Sequence, residues 1–572
     1  MKKLFSLLLV LVMVLGLCAP AFAAEEPETV YILHTNDAHT NIDKELNYTL
    51  IAQYKNSLDN ALLVDAGDAI QGTPYGSMNE DNGEHVVELM NLAGYDVATL
   101  GNHEFDYGME GTMNAIEWAE YPYVSCNFYH EENGVKGENV LDSYKVFEIG
   151  GRKIAFVGFT TPESFTKSTP AYFQDDAGNY IYGIAGGDDG ADLYAAAQEA
   201  IDAAMLEADI VIGLGHLGVD ESSGPWTSKA VIENTYGLNA FIDGHSHSEV
   251  VAEEVTDAEG NTVILAQTGA TLNNLGQVTI APDGTITAEL VTPRELKARL
   301  YDAGQSALDV EPTLAEANEG WVDQVTEEMG QVIGTFDDVL DNYDADGNRL
   351  VRSQETNSGD FVADALYYLF HDGPYAVEGY PTDIAIVNGG GVRNATMTGE
   401  VSYLDCMTMQ PFGNDICLVQ LSGQQILDML EHSVRFVGSG QENGGFMQVS
   451  GMTFTVDTSI ESSVETDDKN VFQGIGDTRR VKDVKVLSYE TGEYEPIDPD
   501  AMYNVAGSNY FLRNQGDGYN MFEGSVNVVD NVTKDYLVLV EYIKSFPDTD
   551  GDGLPNVSGY EDVNGQGRIT IE

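Results

Sequence analysis

The chain has 572 residues, 43% of them apolar, with 94 acidic against 26 basic side chains and a formal net charge of −68. The length exceeds one ordinary core and sets an expectation of two large domains. The charge excludes a nucleic-acid backbone or an anionic membrane surface as a partner, since both repel it, and any anionic ligand must find locally concentrated positive charge.

Residues 1–23 read as a signal peptide. Lys2 and Lys3 form a positive start, Leu4 to Leu17 an apolar run, and Ala21-Phe22-Ala23 a small-x-small cleavage site. A lipid-modified Cys18 fits less well, because bulky Leu17 precedes it. The run is too short for a good membrane anchor and no second hydrophobic span follows, so an exported protein without stable membrane insertion is expected. Beyond this segment stand Cys126, Cys406 and Cys417, an odd number. Their spacing leaves open whether Cys406 and Cys417 pair, and it leaves the oligomeric state open too.

From residue 24 to 295 strand-like runs alternate with helical ones. TVYILH, ALLVDAG, DVATLG, KIAFVGF, DIVIGLG, NAFIDG and TVILAQTG read as strands, and GEHVVELMNLAGY and DLYAAAQEAIDAAMLEA as helices. This pattern predicts an α/β domain with a layered sheet. Residues 296–330 read as a helical linker, with PTLAEANEGWVDQVTEEMG as its main helix. A second α/β domain is expected over 331–545, with strands in VIGTFDDVL, DIAIVNGG, DICLVQL and MTFTVD and helices near GDFVADALYYLF and GQQILDMLEHSV. Residues 546–572 read as an acidic C-terminal tail.

Five apolar runs of the first domain end in metal-ligand chemistry. They lead to Asp37 and His39, to Asp68, to Asn102 and His103, to His216, and to His245 and His247. In an α/β sheet, ligands gather outside the carboxyl ends of the strands, so these side chains should converge. Carboxylate, imidazole and amide oxygen suit divalent ions such as Mn, Zn or Co. Asp68 has two oxygens and could bridge two ions, the arrangement that stabilises both oxygens of an in-line displacement. A lone His is more often structural, but five of the ten histidines stand at these strand ends. His34, His85, His130, His371 and His432 lack that placement and read as structural or surface residues.

HTNDAH, DAGDAIQGTP, GNHEFDYG, GLGHLG and DGHSH resemble the successive motifs of the 5′-nucleotidase family, within the calcineurin-like metallophosphatases. The resemblance covers nearly the whole chain after residue 23, in the expected order. It implies an N-terminal four-layer α/β/β/α metallophosphatase domain joined by a helix to a C-terminal nucleotide-binding domain. It implies one ion held by Asp37, His39, Asp68 and His247, and another by Asp68, Asn102, His216 and His245. His247 departs from the pattern, standing where relatives carry Gln or Asn, and a Thr follows His39 where many members have Gly or Ser. His103 is implied to donate to a substrate oxygen whose charge grows in the transition state, with Asp106 orienting its ring and favouring its charged form.

In the second domain IVNGGGVRN offers Asn388, a glycine run and Arg393; VRSQETNSGDF offers Arg352; QPFGND offers Phe412 and Asn414; SNYFLRNQGDGYNMF offers Phe511 and Asp517. Any one Phe is more often core than ligand. Together these motifs resemble the family's nucleotide-binding domain. By that resemblance Arg352 and Arg393 bind phosphate with Asn388 nearby, Phe412 and Phe511 sandwich the base, Asp517 accepts from the ribose hydroxyls, and Asn414 touches the base. Guanidinium forks suit phosphate, and stacking tolerates any base. Near the C-terminus Asp548, Asp550, Asp552 and Gly553 occupy positions 1, 3, 5 and 6 of a calcium loop, but position 12 is Gly559, and a solvated acidic turn is the alternative.

The expectation is an exported two-metal phosphoesterase acting on nucleoside 5′-monophosphates, with di- and triphosphates or UDP-sugars as further candidate substrates. A 2′,3′-cyclic-nucleotide 2′-phosphodiesterase/3′-nucleotidase is the enzymatic alternative. A nucleotide-binding surface protein without activity is the other, and the intact set of His103, Asp106 and seven ligands speaks against it.

Overall fold

The structure is a computed structural model that describes residues 27–77, 83–132, 134–175, 177–305, 312–344, 347–394, 396–467, 469–489, 491–529 and 532–572. The segment read as a signal peptide lies outside the described residues. Among those described, no helix is long and apolar enough to cross a membrane.

Two sheets build the N-terminal domain. The first runs in the order Ile286–Val291, Leu275–Ile280, Val30–Thr35, Ala61–Asp65, Val97–Ala98, and the second Glu249–Thr256, Thr262–Thr268, Ala240–Ile242, Ile210–His216, Arg152–Thr160, Tyr144–Ile149. The central strands of each pair in parallel, with Leu33 opposite Leu63 and Val157 opposite Gly213. Parallel strands covered on both faces need apolar residues at nearly every position, which is why these runs read as continuous hydrophobic stretches.

Alternate residues part to opposite faces. Val30, Ile32, Leu62 and Val64 meet Phe156, Ile212 and Ile242 in a core between the two sheets. Leu33 and Leu63 face the other way, onto the helices Tyr48–Asn56, Glu84–Ala93 and Pro312–Met329. Val211 and Phe241 pack beneath the helices Ala191–Met205 and Ser228–Asn234. The layers are therefore α/β/β/α, as expected.

The C-terminal domain centres on a mixed sheet in the order Met447–Ser450, Ile384–Asn388, Met502–Ser508, Ile416–Ser422, Val526–Val529. The helices Asn357–His371 and Asp535–Lys544 contribute to the core on one side of it, and Gly423–Ser433 to the core on the other. Cys126, Cys406 and Cys417 are buried, and no disulfide joins Cys406 to Cys417, which lie in separate core clusters.

Residues 546–572 do not hang free. Asn556–Val557 pairs in parallel with Thr335 and Phe336, and Ile569–Ile571 with Phe454 to Val456. Between them, Glu355 accepts from the Gln566 and Ile569 amides at 2.7 and 2.6 Å, and Arg568 donates to Asp364 at 2.8 Å. Two short strands and one guanidinium tie down the segment expected as an acidic C-terminal tail. Replacing Arg568 by Ala leaves Asp364 and buried Asp360 without their cation. A loss of about 3 kcal/mol is expected, read as a drop of several degrees in the melting temperature; an unchanged melting curve would show that the segment is not clamped through Arg568.

Candidate active site

Each ligand candidate emerges where a strand of the N-terminal domain ends. Asp37 and His39 follow Val30–Thr35, Asp68 follows Ala61–Asp65, Asn102 and His103 follow Val97–Ala98, His216 closes Ile210–His216, and His245 and His247 follow Ala240–Ile242. Five of the seven metal-ligand candidates have positive φ: Asp37 (48°), His39 (46°), Asp68 (59°), His245 (81°) and His247 (55°). Side chains rarely adopt this backbone region, and strain of this kind gathers where a site requires it.

Hydrogen bonds fix which nitrogen of each ring is free. His39 Nδ1 donates to the Gln71 carbonyl at 2.9 Å and His216 Nδ1 to the Ala66 carbonyl at 2.7 Å. Their Nε2 atoms then turn inward. That of His39 lies 3.1 Å from His247 Nε2, and that of His216 is buried with no hydrogen-bond partner, 3.0 Å from Asp68 Oδ2. His245 Nδ1 lies 2.8 Å from Asn102 Oδ1. Lone pairs facing one another at these distances repel unless a cation lies between them, so the donor set fits divalent metal. Asp37, His39 and His247 converge closely enough for one ion, and Asp37, Asp68 and His216 for another. The electrostatics agree. Burial opposes positive charge at His216, yet Asp68 and Asp37 outweigh it and push the ring's pKa up to about 10, so the carboxylates favour a cation at this point, which an ion in place of the ring proton would supply.

The Asp68 loop is anchored from below by a residue the motif reading passed over. Buried Glu104 accepts from the Asp68, Ala69 and Gly101 amides at 2.8, 2.8 and 2.6 Å. Burial and the neighbouring Asp68 charge push Glu104 up to about 7.

His103 Nδ1 lies 2.6 Å from Asp106 Oδ2, and Asp106 accepts a further bond from Ser168 at 2.7 Å. Burial favours the neutral ring, but the Asp106 and Asp68 charges outweigh it and hold the His103 pKa above its ordinary value.

One cavity joins this cluster to the C-terminal domain. It is lined by Asp68, Asn102, His103, His245 and His247 on one side and by Arg352, Asn388, Arg393, Phe412, Asn414 and Asp517 on the other. Asn388 donates to Asp517 at 2.9 Å, and Asn414 to Asp535 at 3.2 Å. The Phe412 ring lies 5.5 Å from the His103 ring and 5.1 Å from the Arg393 guanidinium. Burial, with Arg349 beside it, pushes Arg393 down to about 10; the same causes and Arg393 itself lower Arg352.

Phe511 is a correction. It is 1% exposed and packs in the core with Leu512, Tyr519 and Phe522, so it lines no part of this cavity. Its neighbour Tyr510 does, and donates its hydroxyl across the domain boundary to the Thr166 carbonyl at 2.8 Å. In the short helix Asn509–Leu512 the purely apolar ring turns to the core, and the one with a hydroxyl turns to a polar partner. The reading also missed Glu163, Arg349, Arg435 and Phe436, all of which line the cavity. Glu163 was findable, since it too follows a strand end, that of Arg152–Thr160. Asp548, Asp550 and Asp552 converge closely enough to hold an ion, but all three are exposed and Asp548 already accepts from the Gly551 and Gly553 amides.

Divalent-ion ligands at the ends of parallel strands in a four-layer α/β/β/α domain define a calcineurin-like phosphoesterase, and the profile of that family matches residues 30–249. The profile of the 5′-nucleotidase C-terminal domain matches residues 332–524. The chain belongs to the 5′-nucleotidase family and is a metal-dependent phosphoric monoester hydrolase. It is similar to the 5′-nucleotidase of Rattus norvegicus, 27% identical over 577 residues that cover 93% of this chain and 91% of the relative. It is equally similar, 27% over 90% of the chain, to the trifunctional nucleotide phosphoesterase protein YfkN of Bacillus subtilis, of whose length it spans only 34%. The structure of a 5′-nucleotidase precursor from Thermus thermophilus has the same fold, with a TM-score of 0.72, 24% identity and coverage of 95% of this chain and 99% of that one.

The correction has a direct test. Phe511→Ala should cost about 3–5 kcal/mol of stability, as for a buried Phe. Phe412→Ala, at a half-buried cavity wall, should leave the melting temperature within a few degrees of wild type. Equal destabilisation by the two would make Phe412 a core residue as well.

Proposed function

We propose that the protein hydrolyses nucleoside 5′-monophosphates to nucleoside and phosphate, using two divalent ions such as Mn, Zn or Co. The observation that carries this reading is the single cavity in which the ligand cluster of one domain faces the guanidiniums, Phe412 and Asp517 of the other. The names of the relatives support the substrate class. Asp37, His39, Asp68 and His247 would hold one ion, and Asp68, Asn102, His216 and His245 the other. When bound, the pair supplies Lewis-acid polarisation of the phosphoryl group and a nucleophile at neutral pH.

The chain's own residues do the rest. Arg352 and Arg393 grip the phosphate, with Asn388 alongside. Asp517 accepts from the ribose hydroxyls, Phe412 offers the base a stacking face, and Asn414 a polar edge. In place of Phe511, the cavity aromatics Phe436 and Tyr510 complete the apolar wall. His103, charged through Asp106, donates to the oxygen on which negative charge grows as the ester bond breaks. Export follows from Lys2, Lys3, the apolar run and Ala21-Phe22-Ala23, and N-terminal sequencing of the secreted protein should begin near residue 24.

Phosphate release from a panel of 5′-, 3′- and 2′,3′-cyclic nucleotides, with diphosphates and a UDP-sugar, tests the reading. AMP and its 5′-monophosphate analogues should lead. Turnover confined to the cyclic and 3′-nucleotides would replace the assignment with the phosphodiesterase alternative, and no turnover with a folded, metal-loaded chain would leave a binding protein.

Asp68→Ala should lose both ions in metal analysis, because this carboxylate is shared; two ions per chain would sink the bridge. His103→Ala should keep its metal and lose roughly 10²–10³ in kcat. In Asp106→Asn the ring loses the neighbour that raises its pKa. Activity needs the charged ring, so it falls as pH rises through that pKa, and the basic limb of the kcat profile should move to lower pH. A limb that stays in place would assign it to another group.

A further inference from the structure

The outward-facing nitrogens of His39 and His216 donate to backbone carbonyls, those of Gln71 and Ala66. The corresponding nitrogen of His245 meets a carboxylate instead. His245 Nε2 lies 2.8 Å from Glu163 Oε2, and the same oxygen accepts from Ser223 Oγ at 2.6 Å. Glu163 is 5% exposed and Ser223 4%, and they hold the half-buried His245 ring from its inner side. On its other edge the His245 ring presents Nδ1 to Asn102 Oδ1 at 2.8 Å.

We propose that Glu163 is a positioning residue for the second metal site: held by Ser223, it fixes the plane and tautomer of His245 so that Nδ1 points, with Asn102 Oδ1, at one ion. This rests on the two-ion reading above. A carboxylate that accepts from a ligating imidazole orients the ring and makes it a stronger donor, whereas a carbonyl partner carries no net charge to do the second. The ion near Asn102 and His245 thus depends on a buried charge that the ion near His39 and His247 does not share. Its two protein anchors come from different loops, Glu163 after the strand Arg152–Thr160 and Ser223 after Ile210–His216. The second site is therefore also sensitive to how those loops pack.

The test is calorimetric titration of the metal-depleted full chain with Mn²⁺, and in parallel Co²⁺, comparing wild type with Glu163→Gln, Glu163→Ala and Ser223→Ala. Wild type should take up two ions. Glu163→Ala should bind one of them as before and the other about 10–100-fold more weakly, the usual effect of losing such a partner. Glu163→Gln keeps an acceptor without the charge and should weaken the same ion to a smaller extent; if the Ala variant does not fold, this variant alone carries the test. Ser223→Ala should also affect only that ion. Unchanged affinity for both ions in Glu163→Gln and Glu163→Ala, or equal loss at both, would overturn the assignment. A wild type that binds fewer than two ions would overturn the two-ion reading and this assignment with it.

Discussion

Asp68 is a carboxylate, 2% exposed, that must satisfy partners on several sides at once. One oxygen accepts from the His103 amide at 2.8 Å, and the other lies 3.0 Å from His216 and 3.9 Å from His39. A charge this deep is costly unless it is paired. Its position is therefore over-determined: Glu104 fixes the backbone amides at Asp68 and Ala69, and a Cβ on Gly101 would collide with Asp68 Oδ1, so only glycine fits there. Strand ends of both sheets supply its neighbours, His39 and His103 from one and His216 from the other.

The same logic of unbalanced charge holds in the opposite sense across the cavity. In a chain with only 26 basic residues, Arg349, Arg352, Arg393, Arg435 and Lys167 all line one cavity. Glu442 pairs with Arg349 and lies 3.8 Å from Arg352, and Asp517 lies 3.8 Å from Lys167. On the C-terminal side of the cavity the guanidiniums of Arg349, Arg352, Arg393 and Arg435 stand against the carboxylates of Glu442 and Asp517, and burial, with Arg349 and Arg393 beside it, lowers the pKa of Arg352. An overall acidic protein thus reserves a cationic pocket for an anion, and places it opposite the cluster that requires cations.

Much of this was legible before the fold was known, for a physical reason. Buried parallel strands advertise themselves as apolar runs, and the polar residue that ends each run has few places to go; Asp37, Asp68, Asn102, His216 and His245 could be assembled from that rule alone. The strand at VIGTFDDVL is Val332–Leu340, residue for residue. Side-chain direction within a short irregular helix carries no such periodicity, so the motif did not show that Phe511 turns to the core and Tyr510 to the cavity. Glu163 was missed because Thr160, Thr161 and Pro162 separate it from its apolar run. Composition could not show how residues 546–572 are held, since two short strand pairings and Arg568 leave no mark in residue counts.

The account stands on two ions acting together at one site, and reactivation by metered metal addresses it most directly. The purified chain is stripped of metal, then given Mn²⁺ in increments while AMP hydrolysis is followed. The account predicts no activity without metal and a rise that completes at two equivalents per chain. Full activity in the stripped protein, or a rise that completes at one equivalent, would contradict it.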